Sequence, residues 1–469
     1  MDAHRGTPLA YLLLPRKSRN ELRVFGYLQR VIGGAVSPIF AIRFSLFVLI
    51  CISCFAQSGI VDRTYVGTLT LPDPLIFADG SRVTNVRQWQ LKRRAELLTS
   101  FEVTLYGRAP GRPKHMRYEV AEINSNVRSV TATRKQITIH LSGEVNYPRI
   151  HLLLYVPKRL HRPVPTFLVP NFFGNHTISS DVDISMYPQW PCAKIGLNND
   201  ELEQGQQLRP DENTRGKDRL QSWPLEQILA RGYAIATFAP RCDIEPDYPE
   251  GWKWGIRGWF LKQTGRNEIA HDEWGAISAW AWSLSRALDY LRTDGDIDAK
   301  RVAVVGFSRL GEAALWAGAQ DERFAMVIAN EGNAGLMRLR PDLVATMTDR
   351  SEYWWWHCLN LEHYVGRENE MPIDRHELLA LIAPRPLYLA NADQGLVSLR
   401  YAEFIAAKKA EPVYSLFGKI GLEVNGMPSL NTSVGDFIGY HIRTGGHRMT
   451  DYDWEQFLSF ADRHFVKSR

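Results

Sequence analysis

The chain is expected to fold as an α/β three-layer sandwich, a mainly parallel sheet with helices on both faces. Two observations predict it. Short apolar, β-branched runs alternate with amphipathic stretches from residue 166 to the end, the pattern of strands and crossover helices that builds a parallel sheet. In addition, residues 301–318, RVAVVGFSRLGEAALWAG, pass from a buried strand (302–305) into good helix formers (312–316) with no room for a loop.

The elements follow in order. Residues 1–56 carry seven Lys/Arg and two acids, against 49 of each in the rest, so the net charge of +5 sits in this leader. Once it is set aside, charge offers no support for nucleic-acid binding. Within it, FSLFVLICISCFA (44–56) follows Arg43 and ends in small residues. It is too short to span a bilayer and reads as a signal segment near 43–56, with a membrane anchor as the alternative. The expected organisation is a leader over 1–56 and a single catalytic domain over 57–469. Export to the periplasm or medium is expected, with no stable membrane contact after leader removal. Of five cysteines, Cys192, Cys242 and Cys358 lie outside the leader, which permits one bridge without choosing it and makes no zinc pattern.

Residues 85–98 are polar with spaced apolar positions and predict a surface helix. Residues 118–156 alternate in short runs (ITIHLSG, IHLLLYV) and predict antiparallel strands. TFLVP (166–170) is a buried strand. The loop after it, Asn171 to His176, is either an amide-bearing oxyanion loop or a plain turn. Residues 181–216 are polar and weakly periodic, a long surface insertion. A helix over 224–231 and a strand over 233–238 follow. Tyr248, Trp252, Trp254 and Trp259 form an aromatic cluster that suits either a sugar platform or core packing. Residues 272–292 predict a long helix with Asp272 at its N-cap. Strands over 324–330 and 386–392, a helix over 401–410, a strand over 436–443 and an amphipathic helix over 451–466 complete the chain.

The strand-to-helix corner Gly306-Phe307-Ser308-Arg309-Leu310-Gly311 resembles a nucleophile elbow, although Leu310 stands where the second small residue is usual and Gly311 comes one position late. The alternative is an ordinary corner with a buried serine. A nucleophilic serine needs a base and the base an orienting carboxylate. His447, in the loop Thr444-Gly445-Gly446-His447, is the expected base. Glu331 and Asp393 each end a strand. Glu331 is preferred and Asp393 stays open as the alternative acid. Arg309 supplies a backbone amide to a developing oxyanion, or a structural salt bridge. The order serine, acid, histidine is that of an α/β-hydrolase. His357 and His363 are placed to contact ligand, and His376 to pack or cap. No cofactor and no metal are called for.

The combination GFSRLG, the strand ending in Glu331, HELLALIAPRPLY (376–388) and YHIRTGGH (440–447) resembles the glucuronoyl esterases, carbohydrate esterase family 15, over roughly residues 71–465. The resemblance implies an α/β-hydrolase that cleaves 4-O-methyl-glucuronoyl esters linking glucuronoxylan to lignin alcohols, with Ser308, His447 and Glu331 as triad and Arg309 at the oxyanion. It implies a carbohydrate ester as the partner; no nucleic-acid partner is expected from the balanced charge, and the chain is expected to act as a monomer. Glu312 stands where the family usually has a sugar-contacting lysine, and Leu396-Val397 replace a tryptophan expected after Asp393. Glu312, Glu352, Tyr353 and Trp356 are therefore expected to line the substrate site. Beside this esterase stand an acetyl-xylan-type esterase and a catalytically weak carbohydrate-binding relative.

Overall fold

Residues 302–307 are wholly apolar apart from Gly306, and they form the buried half of a central strand that runs over Ile297–Phe307. The computed structural model describes residues 70–465, apart from 126, 128–129, 145–147, 159–162, 187–211, 351–352 and 396. The leader, most of the insertion and Glu352 therefore lie outside the described residues. The strands are β1 (Arg117–Asn124), β2 (Ala132–His140), β3 (Arg149–Pro157), β4 (Val164–Leu168), β5 (Ala234–Thr237), β6 (Ile297–Phe307), β7 (Met326–Asn330), β8 (Leu387–Ala392) and β9 (Ile438–Arg443). They lie in one sheet in the order β1-β2-β3-β5-β4-β6-β7-β8-β9. The alternating β1, β2 and β3 pair antiparallel, as does β3 with β5, and the remaining pairs are parallel. Strands β4 to β9 are buried along most of their length, as a sheet covered on both faces requires.

The covering helices include α1 (Arg94–Phe101), α2 (Leu225–Ala230), α3 (Ile256–Gln263), α4 (Ala276–Leu291), α5 (Arg309–Gln320), α6 (Pro341–Thr348), α7 (Arg375–Ala380), α8 (Val397–Leu416) and α9 (Asp451–Phe465). Two expectations are corrected. The helix expected from Asp272 begins at Ala276, because the Arg108 amide bonds to the Asp272 carbonyl and the Gly275 amide to that of Tyr106, which holds 272–275 as a strand-like tie. The expected surface helix at 85–98 buries Trp89, Arg93 and Leu97, and so packs one face into the core. Trp274, Trp280, Trp316 and Trp454 are among the largest wholly buried side chains, so much of the aromatic content is core. Cys242 is disulfide-bonded and Cys358 is a buried free thiol. Among the described residues no helix is long and apolar enough to cross a membrane.

Candidate active site

Parallel strands put their following loops on one edge of the sheet. β4, β6, β7, β8 and β9 are consecutive neighbours. They deliver there, in turn, the 171–176 loop, Ser308, Glu331, Asp393 and the His447 loop.

The corner after β6 is an elbow. Ser308 has φ 54° and ψ −134°, a conformation that costs an L-residue energy and persists only where the surroundings enforce it. Two glycines enforce it. A Cβ on Gly306 would lie 2.1 Å from the Leu310 carbonyl oxygen, and one on Gly311 would lie 2.8 Å from the Gly332 Cα. The displaced second glycine of the motif thus lets α5 press against the turn after β7. The Ser308 amide donates to the Asn330 carbonyl at 2.8 Å, which ties the elbow to β7.

His447 Nε2 lies 3.0 Å from Ser308 Oγ, and His447 Nδ1 lies 2.7 Å from Glu331 Oε2. A carboxylate only accepts, so Nδ1–H donates to Glu331 and Nε2 is left as acceptor for the serine hydroxyl. The imidazole packs on Phe307 at 4.6 Å between ring centroids and is half exposed, whereas the Glu331 side chain is only 7% exposed. Glu331 stands directly after β7, the strand beside β6. Asp393, the alternative acid, is engaged otherwise: its Oδ1 accepts the Gly445 amide at 2.7 Å and its own amide donates to the Arg443 carbonyl. It anchors the histidine loop and does not orient the ring, which corrects that alternative.

Arg309 begins α5, whose first free amides are those of Arg309 and Leu310, since the Gly311 amide already donates to the Ser308 carbonyl at 2.7 Å. Its Nη1 donates to Asp247 Oδ2 at 2.8 Å, and its guanidinium lies 4.9 Å from the Trp356 ring and 5.8 Å from that of Phe172. Asp247 is buried. It also pairs with Arg241 at 2.6 Å and accepts the indole N–H groups of Trp355 and Trp356 at 2.9 and 2.7 Å. Burial alone would raise its carboxyl, but Arg241, Arg309 and the two indoles outweigh that and lower it to about 2. Burial lowers Arg241 to about 9 against the pull of Asp247. The reading of the residues missed Asp247 and Arg241. Their only signal was the charged run RCDIEPD at 241–247, just before the aromatic cluster.

Other expectations divide. Phe172 of the 171–176 loop packs against Phe307 at 6.1 Å, and Asn171 Oδ1 closes the loop on the Gly174 amide at 2.7 Å. Tyr353 is exposed and stacked on Trp356 at 4.3 Å, so an aromatic pair stands beside Arg309. Trp254 is exposed, while Trp259 packs on Phe260. His376 is buried on the Pro72 carbonyl, a packing role, and His363 stacks on His271.

Glu312 is the main correction. It was expected to face substrate, yet it is fully buried. Its carboxylate pairs with Arg375 at 2.7 Å, meets His357 Nε2 at 2.9 Å, and accepts from Tyr106 Oη at 3.2 Å and Asn333 Nδ2 at 3.0 Å. Burial would raise its carboxyl, but Arg375 first, then His357 and Asn333, lower it to about 2. Three of these four partners crowd Oε1, and the carboxylate is closed off from solvent. His357, expected to contact ligand, is buried and gives its Nε2 to the same cluster.

The fold, the elbow and the serine–imidazole–carboxylate chain define a serine hydrolase of the α/β type. Over 413 residues, 86% of this chain and 92% of the relative, it is 38% identical to Carbohydrate esterase MZ0003 of an unknown prokaryotic organism. The chain belongs to carbohydrate esterase family 15. A glucuronoyl esterase from Solibacter usitatus is 41% identical, with a TM-score of 0.79 over 86% of this chain and 99% of that one. A promiscuous family 15 esterase from a marine bacterial metagenome is 36% identical, with a TM-score of 0.75 over 86% and 98%. The model of fungal glucuronyl esterases matches residues 266–418. The 4-O-methyl-glucuronoyl methylesterase of Podospora anserina is 27% identical over 74% of this chain and 61% of its own length.

Proposed function

We propose that this chain is an exported esterase hydrolysing a uronate ester of the 4-O-methyl-glucuronoyl type on glucuronoxylan, with Ser308 as nucleophile, His447 as base, Glu331 as its orienting acid and Arg309 at the oxyanion. The observation that carries the reading is the unbroken chain from Ser308 Oγ through His447 to Glu331 at a strained elbow. In this reading Ser308 Oγ attacks the ester carbonyl and its proton passes to Nε2. The carbonyl oxygen gains negative charge near the first amides of α5 and the Arg309 guanidinium. Collapse expels the alcohol, which takes the proton back from Nε2. Water, deprotonated by the same nitrogen, then releases the acid and restores the serine. Asp247 holds the Arg309 side chain by one bond and neutralises part of its charge. Tyr353 and Trp356 offer a stacking surface for a sugar ring.

The names of the curated relatives support a glucuronate ester, and the loss of Glu312 from the site leaves an acetyl ester as the second substrate to test. The catalytic domain is assigned to 57–469 and is taken to act as a monomer. Its leader, near 43–56, directs export, and mass spectrometry of the mature protein should find a start near Gln57. The test of the chemistry is hydrolysis of benzyl glucuronate and of an acetylated sugar by wild type and Ser308→Ala. Wild type should prefer the glucuronate ester, and Ser308→Ala should lose about 10⁶ in kcat. A folded Ser308→Ala protein that keeps most activity refutes the assignment. A wild type inert on both esters favours a binding relative.

A further inference from the structure

Arg443, at the end of β9, is buried and lies outside the roles assigned above, and all three nitrogens of its guanidinium are engaged. Nε donates to Asp453 Oδ2 at 2.8 Å. Nη1 donates to the Thr444 carbonyl at 3.3 Å, and Nη2 to the carbonyls of Gly446, at 2.9 Å, and Arg448. These carbonyls lie on both sides of His447, so one rigid planar group spans the loop that carries the base. The same Nη2 lies 3.5 Å from Glu331 Oε1, the oxygen that does not face the imidazole and has no hydrogen bond of its own among the described residues.

We infer that Arg443 is the positioning residue of this site, a buried cation that fixes the His447 loop and the Glu331 carboxylate relative to one another. The inference rests on the proposed triad. A flexible glycine-containing loop has no internal reason to hold an imidazole within bonding distance of both serine and carboxylate. Loop carbonyls are strong acceptors, and a rigid planar five-donor fork reaches several spread along a loop, whereas a lysine gathers its three donors at one point. The fork is itself held from behind. Asp453, fully buried at the start of α9, accepts from Arg443, from His441 Nε2 at 2.9 Å, and from the Thr450 amide and hydroxyl, each at 2.7 Å. Burial would raise the Asp453 carboxyl, but His441, Arg443 and Thr450 outweigh it and lower it. An anionic Asp453 keeps the cation in place. Other titratable groups around the acid are Asp393, tied to Gly445, and Glu403, which lies near enough for Glu331 to help raise it.

The test uses Arg443→Gln and Arg443→Lys on benzyl glucuronate. Folding is checked by circular dichroism and thermal melting, and competent serines are counted with a fluorophosphonate. In Arg443→Gln, kcat should fall about 100-fold with KM within about threefold, the effect of a misplaced catalytic group. The acidic limb of kcat/KM against pH should move to higher pH, because a Glu331 carboxylate without its cation holds the imidazolium more strongly. Arg443→Lys keeps the charge and loses the fork, so the limb should return to its wild-type place while kcat recovers only in part. A folded Arg443→Gln protein with wild-type kcat overturns the inference. So does a lowered melting temperature or kcat with the limb unmoved, which is what a merely structural arginine would produce. If the glutamine variant does not fold, wild-type kcat in Arg443→Lys overturns it and a reduced kcat at unchanged KM supports it. Full activity in Ser308→Ala, measured alongside, places the failure in the triad and not in Arg443.

Discussion

Glu312→Gln removes one charge from a buried cluster and keeps the shape of the side chain. Glu312 and Arg375 are both fully buried, 2.7 Å apart. The carboxyl is lowered from 4.5 to about 2, which at 1.36 kcal/mol per unit corresponds to about 3 kcal/mol of stability at neutral pH. A second route agrees: removing one partner of a buried pair strands the other charge and costs about 3–5 kcal/mol. The sign follows from linkage. A carboxyl lowered on folding contributes fully above its unfolded value of 4.5, and the contribution is lost as pH falls toward about 2. The assay is the urea midpoint of wild type and Glu312→Gln at pH 6 and pH 3. The variant should be less stable by about 3 kcal/mol at pH 6, and roughly half of that difference should be gone at pH 3. Ester hydrolysis by the folded variant should stay within a few-fold of wild type, since the carboxylate does not meet substrate. Equal midpoints at pH 6, or a gap that does not narrow, refute the reasoning. Glu312→Lys should be worse, because it places a second cation against Arg375. A folded lysine variant that binds glucuronate more tightly would restore Glu312 to the substrate site.

Glu331→Gln should lower kcat/KM on a glucuronate ester by about 10⁴, the effect of amidating a triad acid. Asp393→Asn, whose amide oxygen can still accept from Gly445, should cost far less, and the reverse order would move the acid to β8. Gly311→Ala forces a methyl to within 2.8 Å of the Gly332 Cα. It should destabilise by about 1–3 kcal/mol and slow fluorophosphonate labelling of Ser308; a neutral variant would mean that the contact relaxes freely.

Much of the catalytic frame was legible in the chain because it rests on local rules. A β-branched run, a glycine and a helix former in direct succession leave the backbone one way to turn at Ser308, and alternating strands and helices put the ends of β6, β7 and β9 on one edge. The choice between Glu331 and Asp393 was not legible. Both end parallel strands, and what separates them is tertiary: Glu331 meets the His447 ring at 2.7 Å, while Asp393 accepts the Gly445 amide. Arg443 stands within HIRTGGH with no local sign of its role, since its partners lie after β7, on α9 and in its own loop.

By itself the sequence determined the sheet and the elbow, since periodicity and steric limits act between neighbours along the chain, and it put forward His447 as the proposed base. The tertiary structure decided which charges are spent and which are free. Glu312 follows Ser308 by one helical turn and reads as a site residue in any one-dimensional view. Arg375, far along the chain, and His357 turn it into a buried, satisfied anion. A charge's role depends on the dielectric and the partners around it, and both are set by residues far away in sequence.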